Sequence, residues 1–107
     1  MYLIRRVAKT QPGKAWEVAG LLTKIVEAYE GGGRNKAQVY IGGQGTPGTQ
    51  STVYAEWTQE RIEPVVMSTV PEAVRTNNAK MQPLLTEYSI EFYELVTPEK
   101  LKARGAA

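Results

Sequence analysis

Residues 52–57 decide the fold, and they read Thr-Val-Tyr-Ala-Glu-Trp. Apolar residues stand at every second position, and successive side chains of a strand point to opposite faces of a sheet. Residues 36–41 and 90–96 repeat the pattern, the latter interrupted by Glu94. Each stretch therefore predicts a strand with one apolar face and one face that carries tyrosine. The apolar faces comprise Ala37, Val39 and Ile41, then Val53, Ala55 and Trp57, then Ile90, Phe92 and Val96.

Residues 2–9 predict another strand at the start of the chain. Residues 14–29 carry apolar side chains at steps of three and four, which is typical of a helix that packs on a sheet. Trp16 and Trp57 are both expected in or beside the core. Gly31-Gly32-Gly33 should end the helix, because glycine accepts the left-handed conformation at a helix C-terminus.

The second half of the chain predicts two further helical stretches. Residues 58–60 should open a short helix that Pro64 interrupts, and residues 69–72 have the spacing of a capping box. The helix that follows should run to about Met81 and end or bend at Pro83. Residues 89–96 then form the closing strand. Asn77 and Asn78 are expected on a solvated helix face.

The predicted order is β-α-β-β-α-β, which is the ferredoxin-like arrangement of the α+β class. It has a four-stranded antiparallel sheet with two helices on one face. We expect one domain over residues 1–97 and a loosely held polar tail over residues 98–107. Residues 43–48 of the glycine-rich loop match the letters G-x-G-x-x-G of a dinucleotide-binding turn, but a strand rather than a helix follows them. The better interpretation is a long hairpin loop. The alternative is that this loop also acts as a lid over a binding chamber.

Helices on one face would leave the tyrosine face of the sheet uncovered. A phenol has an apolar body and a polar tip, so it suits a half-dry wall. Tyr40, Tyr54, Tyr93 and Leu95 would together form an exposed patch of the size typical of interaction sites. We therefore expect a homodimer whose two sheets pack face to face into an α/β barrel.

Composition excludes several kinds of chemistry. The chain of 107 residues has no histidine, cysteine or aspartate, and its formal net charge is +2. These absences argue against a metal site, thiolate chemistry and histidine-ligated haem, so no cofactor is expected. The sequence has no basic block that would indicate nucleic-acid binding, and it has no apolar stretch long enough to span a membrane. A cytoplasmic location is the default expectation.

Three short stretches carry a resemblance to a known family. Residues 7–14 (VAKTQPGK) look like a first strand that runs into a Pro-Gly-Lys helix start, and residues 54–58 (YAEWT) look like a third strand that ends in an acidic-Trp pair. Residues 90–95 (IEFYEL) look like a closing strand. The chain thus resembles the dimeric α/β-barrel superfamily, which includes antibiotic-biosynthesis-type monooxygenases and NIPSNAP-like domains. Members that act on haem or phenolic polyketides commonly carry a histidine that this chain lacks.

The resemblance implies oxygenation without a cofactor, in which an ionised substrate supplies its own electrons. Such a reaction needs a base or an oxyanion stabiliser, for which Arg5 or Arg6 and the tyrosines are candidates. Arg5 and Arg6 point to opposite faces of one strand, and the mixed pattern of that strand does not assign the faces. Either arginine could instead make a structural ion pair with Glu56, Glu91 or Glu94.

Two functions therefore stand beside each other. The first is an interior that binds a small, flat phenolic or carboxylated molecule, with monooxygenase or isomerase chemistry if the protein is an enzyme. The second is a non-enzymatic interaction module with a packed interior, which an interior cavity below about 300 Å³ would favour. The candidate ligand-binding residues are Arg5, Arg6, Tyr40, Tyr54, Glu56, Glu91 and Tyr93.

Overall fold

Four antiparallel strands form a single sheet, as the alternating patterns predict. A computed structural model describes residues 1–44, 47–61 and 70–106. The strands are β1 (Tyr2–Thr10), β2 (Gln38–Gly42), β3 (Thr52–Gln59) and β4 (Leu85–Glu94). Their order across the sheet is β2-β3-β1-β4, so the first strand of the chain is central and β2 and β4 form the edges. This order and the element sequence are those of the predicted ferredoxin-like fold.

Two helices lie on the apolar side of the sheet, here called the helix side, and they cover its β2–β3–β1 part but leave Ile90 and Phe92 of the edge strand β4 exposed, which the alternating pattern did not predict. The helices are α1 (Ala15–Gly31) and α2 (Glu72–Met81), and a short 3₁₀ turn (Gln82–Leu84) leads from α2 into β4. Side chains at helical spacing on α1 pack against the sheet in one core cluster with α2. The core members buried most completely include Ile4, Val18, Leu22, Val53 and Met81.

Long-range pairing moves two predicted strand ends. Thr58 and Gln59 pair with the start of β1 and so extend β3, which makes the predicted helix start at residues 58–60 wrong there. β4 begins at Leu85, four positions before the predicted start, because β1 pairs along its whole length up to Thr10. Neither pairing is visible in a local pattern. Pro64 lies outside the described residues.

Helix ends differ from the predictions in detail. Pro71, whose side chain makes no capping hydrogen bond, directly precedes α2, and Thr69 of the predicted capping box lies outside the described residues. Gly32 follows α1 with a negative φ, so the positive φ belongs to Gly33 instead. The predicted tail contains a third helix, α3 (Pro98–Ala103), which begins after the capping side chain of Thr97.

The tryptophans and asparagines divide between core and surface. Trp57 is buried, as its position in the apolar alternation predicts. The prediction for Trp16 is wrong: its side chain is 72% exposed at the start of α1, and its indole N–H donates to Gln44 Oε1 at 3.2 Å. Asn77 is buried rather than solvated, and its amide donates to the Ala73 carbonyl at 2.7 Å. Asn78 is exposed, as expected.

Candidate functional site

Strand register assigns the two neighbouring arginines to different sides of the sheet. Arg5 lies opposite Glu56 of β3 and Glu91 of β4, whereas Arg6 lies opposite Ala55 and Ile90. Directly opposed residues of antiparallel strands point to the same face. Arg5 therefore points to the tyrosine side of the sheet, and Arg6 points to the helix side.

Arg5 and four other predicted residues meet on this side of the sheet, and the five are called the Arg5 cluster here. The Arg5 guanidinium donates from Nε to Glu56 Oε1 at 2.7 Å, and its Nη1 lies 3.6 Å from Glu91 Oε1. Its central carbon lies 5.6 Å from the Tyr54 ring centroid and 5.5 Å from the Tyr93 ring centroid. The cation thus sits against two aromatic rings and beside two carboxylates. Residues from three neighbouring strands build this cluster.

Hydrogen bonding fixes the protonation of two groups in the cluster. The Tyr93 hydroxyl donates to Glu91 Oε1 at 2.7 Å, and this bond raises the pKa of Tyr93 because only the neutral phenol can donate. The hydrogen bond to Glu56 raises the pKa of Arg5. The cluster thus places two carboxyl groups beside a single guanidinium, and it is better suited to accept a further hydrogen bond than to bind an anion.

Tyr40 extends the tyrosine side towards the edge of the sheet. It lies directly opposite Tyr54 in the β2–β3 pairing, and its hydroxyl donates to Gln38. Tyr40 is 48% exposed and Tyr93 is 44% exposed in the single chain. Leu95, just beyond β4, is also exposed. An uncovered aromatic wall thus extends from β2 to β4, as predicted.

Arg6 points away from this wall, so Arg5 is the one of the two arginines that faces the tyrosine side. Arg6 Nη1 donates to the Tyr88 hydroxyl at 2.9 Å, and the central guanidinium carbon of Arg6 lies 5.8 Å from the Trp57 ring centroid. Arg34 was not among the predicted residues, yet its guanidinium carbon lies 4.8 Å from the centroid of the same Trp57 ring. Arg34 follows the glycine run after α1, and no periodicity there indicates that it would approach Arg6.

A groove in the described part of the chain is lined by none of the residues of the Arg5 cluster. It has a volume of about 710 Å³ and runs between α1 and the edge strand β2. Trp16 and Gly20 line its helical wall, and Val39 and Tyr40 line its strand wall. Gln44, in the loop predicted as a lid, also lines this groove, whereas Gly45 and Thr46 lie outside the described residues. The groove is open to solvent along one side of the chain.

The described ranges contain neither a cluster of metal-ligating side chains nor a helix that could span a membrane. No group of three or more metal-ligating side chains occurs among residues 1–44, 47–61 and 70–106. In the same ranges no helix has the length and apolar character needed to cross a membrane.

Comparison with known proteins identifies the fold class. No family model matches the chain, and no curated protein matches its sequence. Among solved structures, an antibiotic biosynthesis monooxygenase is similar over 91% of this chain and 100% of that chain, with 12% identity and a TM-score of 0.58. A dimeric protein of unknown function and ferredoxin-like fold from Bacteroides fragilis is similar over 88% and 96%, with 12% identity and a TM-score of 0.58.

A NIPSNAP domain protein from Burkholderia xenovorans is a further structural neighbour. It is 13% identical over 92% of this chain and 97% of that chain, with a TM-score of 0.55. Neighbours of both kinds named in the sequence analysis therefore share this fold, and the predicted resemblance is confirmed as a likeness of fold. At these identities the likeness does not extend to activity.

Proposed function

We propose that the chain forms a homodimer through its tyrosine side, and that the shared interior binds a small, flat phenolic molecule at the Arg5 cluster. The exposed aromatic wall supports the dimer, because such a patch is costly to leave in water. A structural neighbour described as dimeric also supports it. The observation that carries the ligand proposal is the Arg5 guanidinium lying between two tyrosine rings and beside two carboxylates.

The charges of the cluster favour a phenol over a carboxylated ligand. A carboxylate would meet Glu56 and Glu91 as like charges and would have to displace one of them from Arg5. A phenol brings a donor that a carboxylate can accept, and its ring can pack on Tyr54 or Tyr93. Glu91 is the expected acceptor, because its side chain is more exposed than that of Glu56.

The same arrangement would suit catalysis without a cofactor. The phenol would transfer its proton to the Glu91 carboxylate, and the positive charge of Arg5 would stabilise the phenolate that forms. An isomerisation would return that proton to another atom of the substrate. An oxygenation would take dioxygen as the oxidant and the phenolate as the source of all the electrons: one oxygen atom would enter the ring, the other would leave as water, and the phenol would be oxidised to a quinone. No side chain would change its oxidation state in either reaction.

One observation favours the non-enzymatic alternative. Arg5 already has a short ion pair with Glu56, so its charge is compensated without any ligand. Two Arg5 clusters packed together could then simply fill the interior of a dimer. This alternative predicts that no small phenol binds.

Calorimetric titration with 2-naphthol and its methyl ether separates the two functions. The compounds share a flat body, but only 2-naphthol can donate a hydrogen bond. We expect 2-naphthol to bind at least about tenfold more tightly, which is the effect of one hydrogen bond to a charged acceptor. Glu91→Gln should abolish that preference. Glu87→Gln, on the same face of β4 but paired with Lys9, is the matched control and should retain it. Equal binding of the two compounds, or no binding, would reject the phenol site.

A further inference from the structure

Arg6 and Arg34 form an arginine pair on the helix side of the sheet. The Arg34 guanidinium carbon is 3.9 Å from the Tyr29 ring centroid and 4.8 Å from that of Trp57. The Arg6 carbon is 5.7 Å and 5.8 Å from the same two centroids. Both cations therefore contact the same two aromatic rings, which belong to the end of α1 and to β3. The segment that follows α1 supplies Arg34.

The charges of this pair have no compensation within the described residues. Neither arginine makes an ion pair with a carboxylate of residues 1–44, 47–61 or 70–106. Arg6 Nε, Arg34 Nε and Arg34 Nη1 are buried without a hydrogen-bond partner. Burial lowers the pKa of Arg34, and the charge of Arg6 lowers it further. A buried charge without a partner is among the most costly arrangements in a protein.

The contrast with Arg5 argues against a purely structural role. The Arg5 side chain, one residue away from Arg6, is 31% exposed and has two carboxylates beside it. Arg6 and Arg34 have buried nitrogen atoms without a partner, yet they have no carboxylate beside them among the described residues. An arrangement that keeps like charges together with unused donors is typical of a site whose missing partner is a bound anion.

Apolar side chains lie next to the arginines on the same face. Ile90 stands directly opposite Arg6 in the β1–β4 pairing, and Phe92 stands opposite Ile4 two pairs further along. Both belong to the helix side of β4, yet they are 43% and 52% exposed. An anion bound by the arginines could therefore place an apolar body against this part of β4.

We infer that Arg6 and Arg34 form a binding site for a small oxyanion, either a carboxylate on a flat apolar body or a phosphoryl group. The unused guanidinium N–H groups donate to its oxygens, and the Tyr88 hydroxyl holds Arg6 in place. The site lies on the opposite side of the sheet from the Arg5 cluster. It does not require the phenol site or the dimer.

Thermal unfolding with benzoate, benzamide, phosphate or chloride at matched ionic strength tests the inference. A ligand that binds only the folded state raises the melting temperature with its concentration. We expect benzoate or phosphate to raise it above the value in chloride, and neutral benzamide to have no such effect. Benzoate alone would identify a carboxylate ligand, and phosphate alone would identify a phosphoryl ligand. No rise with either anion would overturn the site.

Two variants locate the effect. Arg34→Met should weaken the anion dependence by at least about tenfold in apparent affinity, because it removes charge-assisted donors. In chloride it should melt no lower than the unmodified protein, since it also removes a like-charge contact. Arg75→Met is the matched control, because Arg75 is exposed on α2 and carries the same charge. Equal loss in both variants would show non-specific screening and would overturn the site.

A spectroscopic measurement on the unmodified protein needs no variant. The Nε–Hε resonances of Arg6 and Arg34 should shift in ¹⁵N spectra when benzoate or phosphate is added, and that of Arg75 should not. Unchanged Arg6 and Arg34 resonances at saturating anion would contradict the inference directly.

Discussion

Two adjacent residues of β1 show how strongly the two sides of the sheet differ. Arg5 sits against tyrosine rings with two carboxylates, and Arg6 sits under the helices with a phenol and an indole ring. One residue of register separates these environments, because strand side chains alternate between faces. The sequence established only that the arginines diverge. Their faces depend on pairing with Glu56 and Ala55, which lie about fifty residues away.

At the residue scale, the Tyr93–Glu91 hydrogen bond predicts a raised pKa for one phenol. The neutral form of Tyr93 donates to the carboxylate, so the bond stabilises the folded protein below the ordinary tyrosine pKa of about 10. That stabilisation is lost as pH rises through the folded-state pKa. We expect Glu91→Gln to lower the pKa of Tyr93. Absorbance at 295 nm, as the difference between the parent and its Tyr93→Phe variant, measures it.

Glu87→Gln provides the control for this titration. Glu87 is on the same strand and face but pairs with Lys9, so its replacement should leave the Tyr93 titration in place. A Tyr93 pKa that is unaffected by Glu91→Gln would show that the hydrogen bond does not form in solution.

At the element scale, the β2–β3 hairpin depends on Gly43. Its φ is +83°, and a Cβ built there would lie 2.5 Å from the Gln50 carbonyl oxygen. We expect Gly43→Ala to lower the free energy of unfolding by at least about 2 kcal/mol, from backbone strain and the clash together. Gly48→Ala has a similar φ of +79° but open space around it, so it should cost only about 1 kcal/mol. Urea unfolding of both variants measures the difference, and equal losses would rule out the close approach.

Local patterns predicted the elements better than their ends. Period-two alternation placed Trp57 in the core, because β3 is covered by helices on one side only. Helical spacing predicted Trp16 wrongly. Val18 and Leu22 on the apolar face of α1 are fully buried, whereas Trp16 in the first turn is exposed. The end of β3 depends on pairing with β1, which local propensity does not encode.

The candidate sites were predictable to different degrees. Tyrosine and glutamate at alternate positions of adjacent strands predicted most of the Arg5 cluster, because cross-strand neighbours share a face. Arg34 was not predictable, since it lies outside any periodic stretch. It contacts the same rings as Arg6 only because the chain turns back towards the sheet after α1. The division into residues 1–97 and 98–107 stays a prediction, as does the cytoplasmic location.

At the scale of the whole molecule, the sheet separates two proposed sites. The helix side holds an arginine pair with unused donors, and the tyrosine side holds a compensated arginine in an open aromatic wall. Face-to-face packing of two sheets leaves roughly 10 Å between them, which side chains or a flat ligand can fill. The phenol site depends on that packing, whereas the oxyanion site does not.

Sedimentation velocity at micromolar concentration tests the dimer most directly, with Tyr93→Glu and Phe92→Glu as paired variants. These residues are adjacent on β4 and similarly exposed, but they point to opposite sides of the sheet. We expect twice the single-chain mass for the unmodified protein and for Phe92→Glu, and a shift towards the single-chain mass for Tyr93→Glu. A monomeric unmodified protein, or a Tyr93→Glu dimer as stable as the parent, would contradict the proposed dimer.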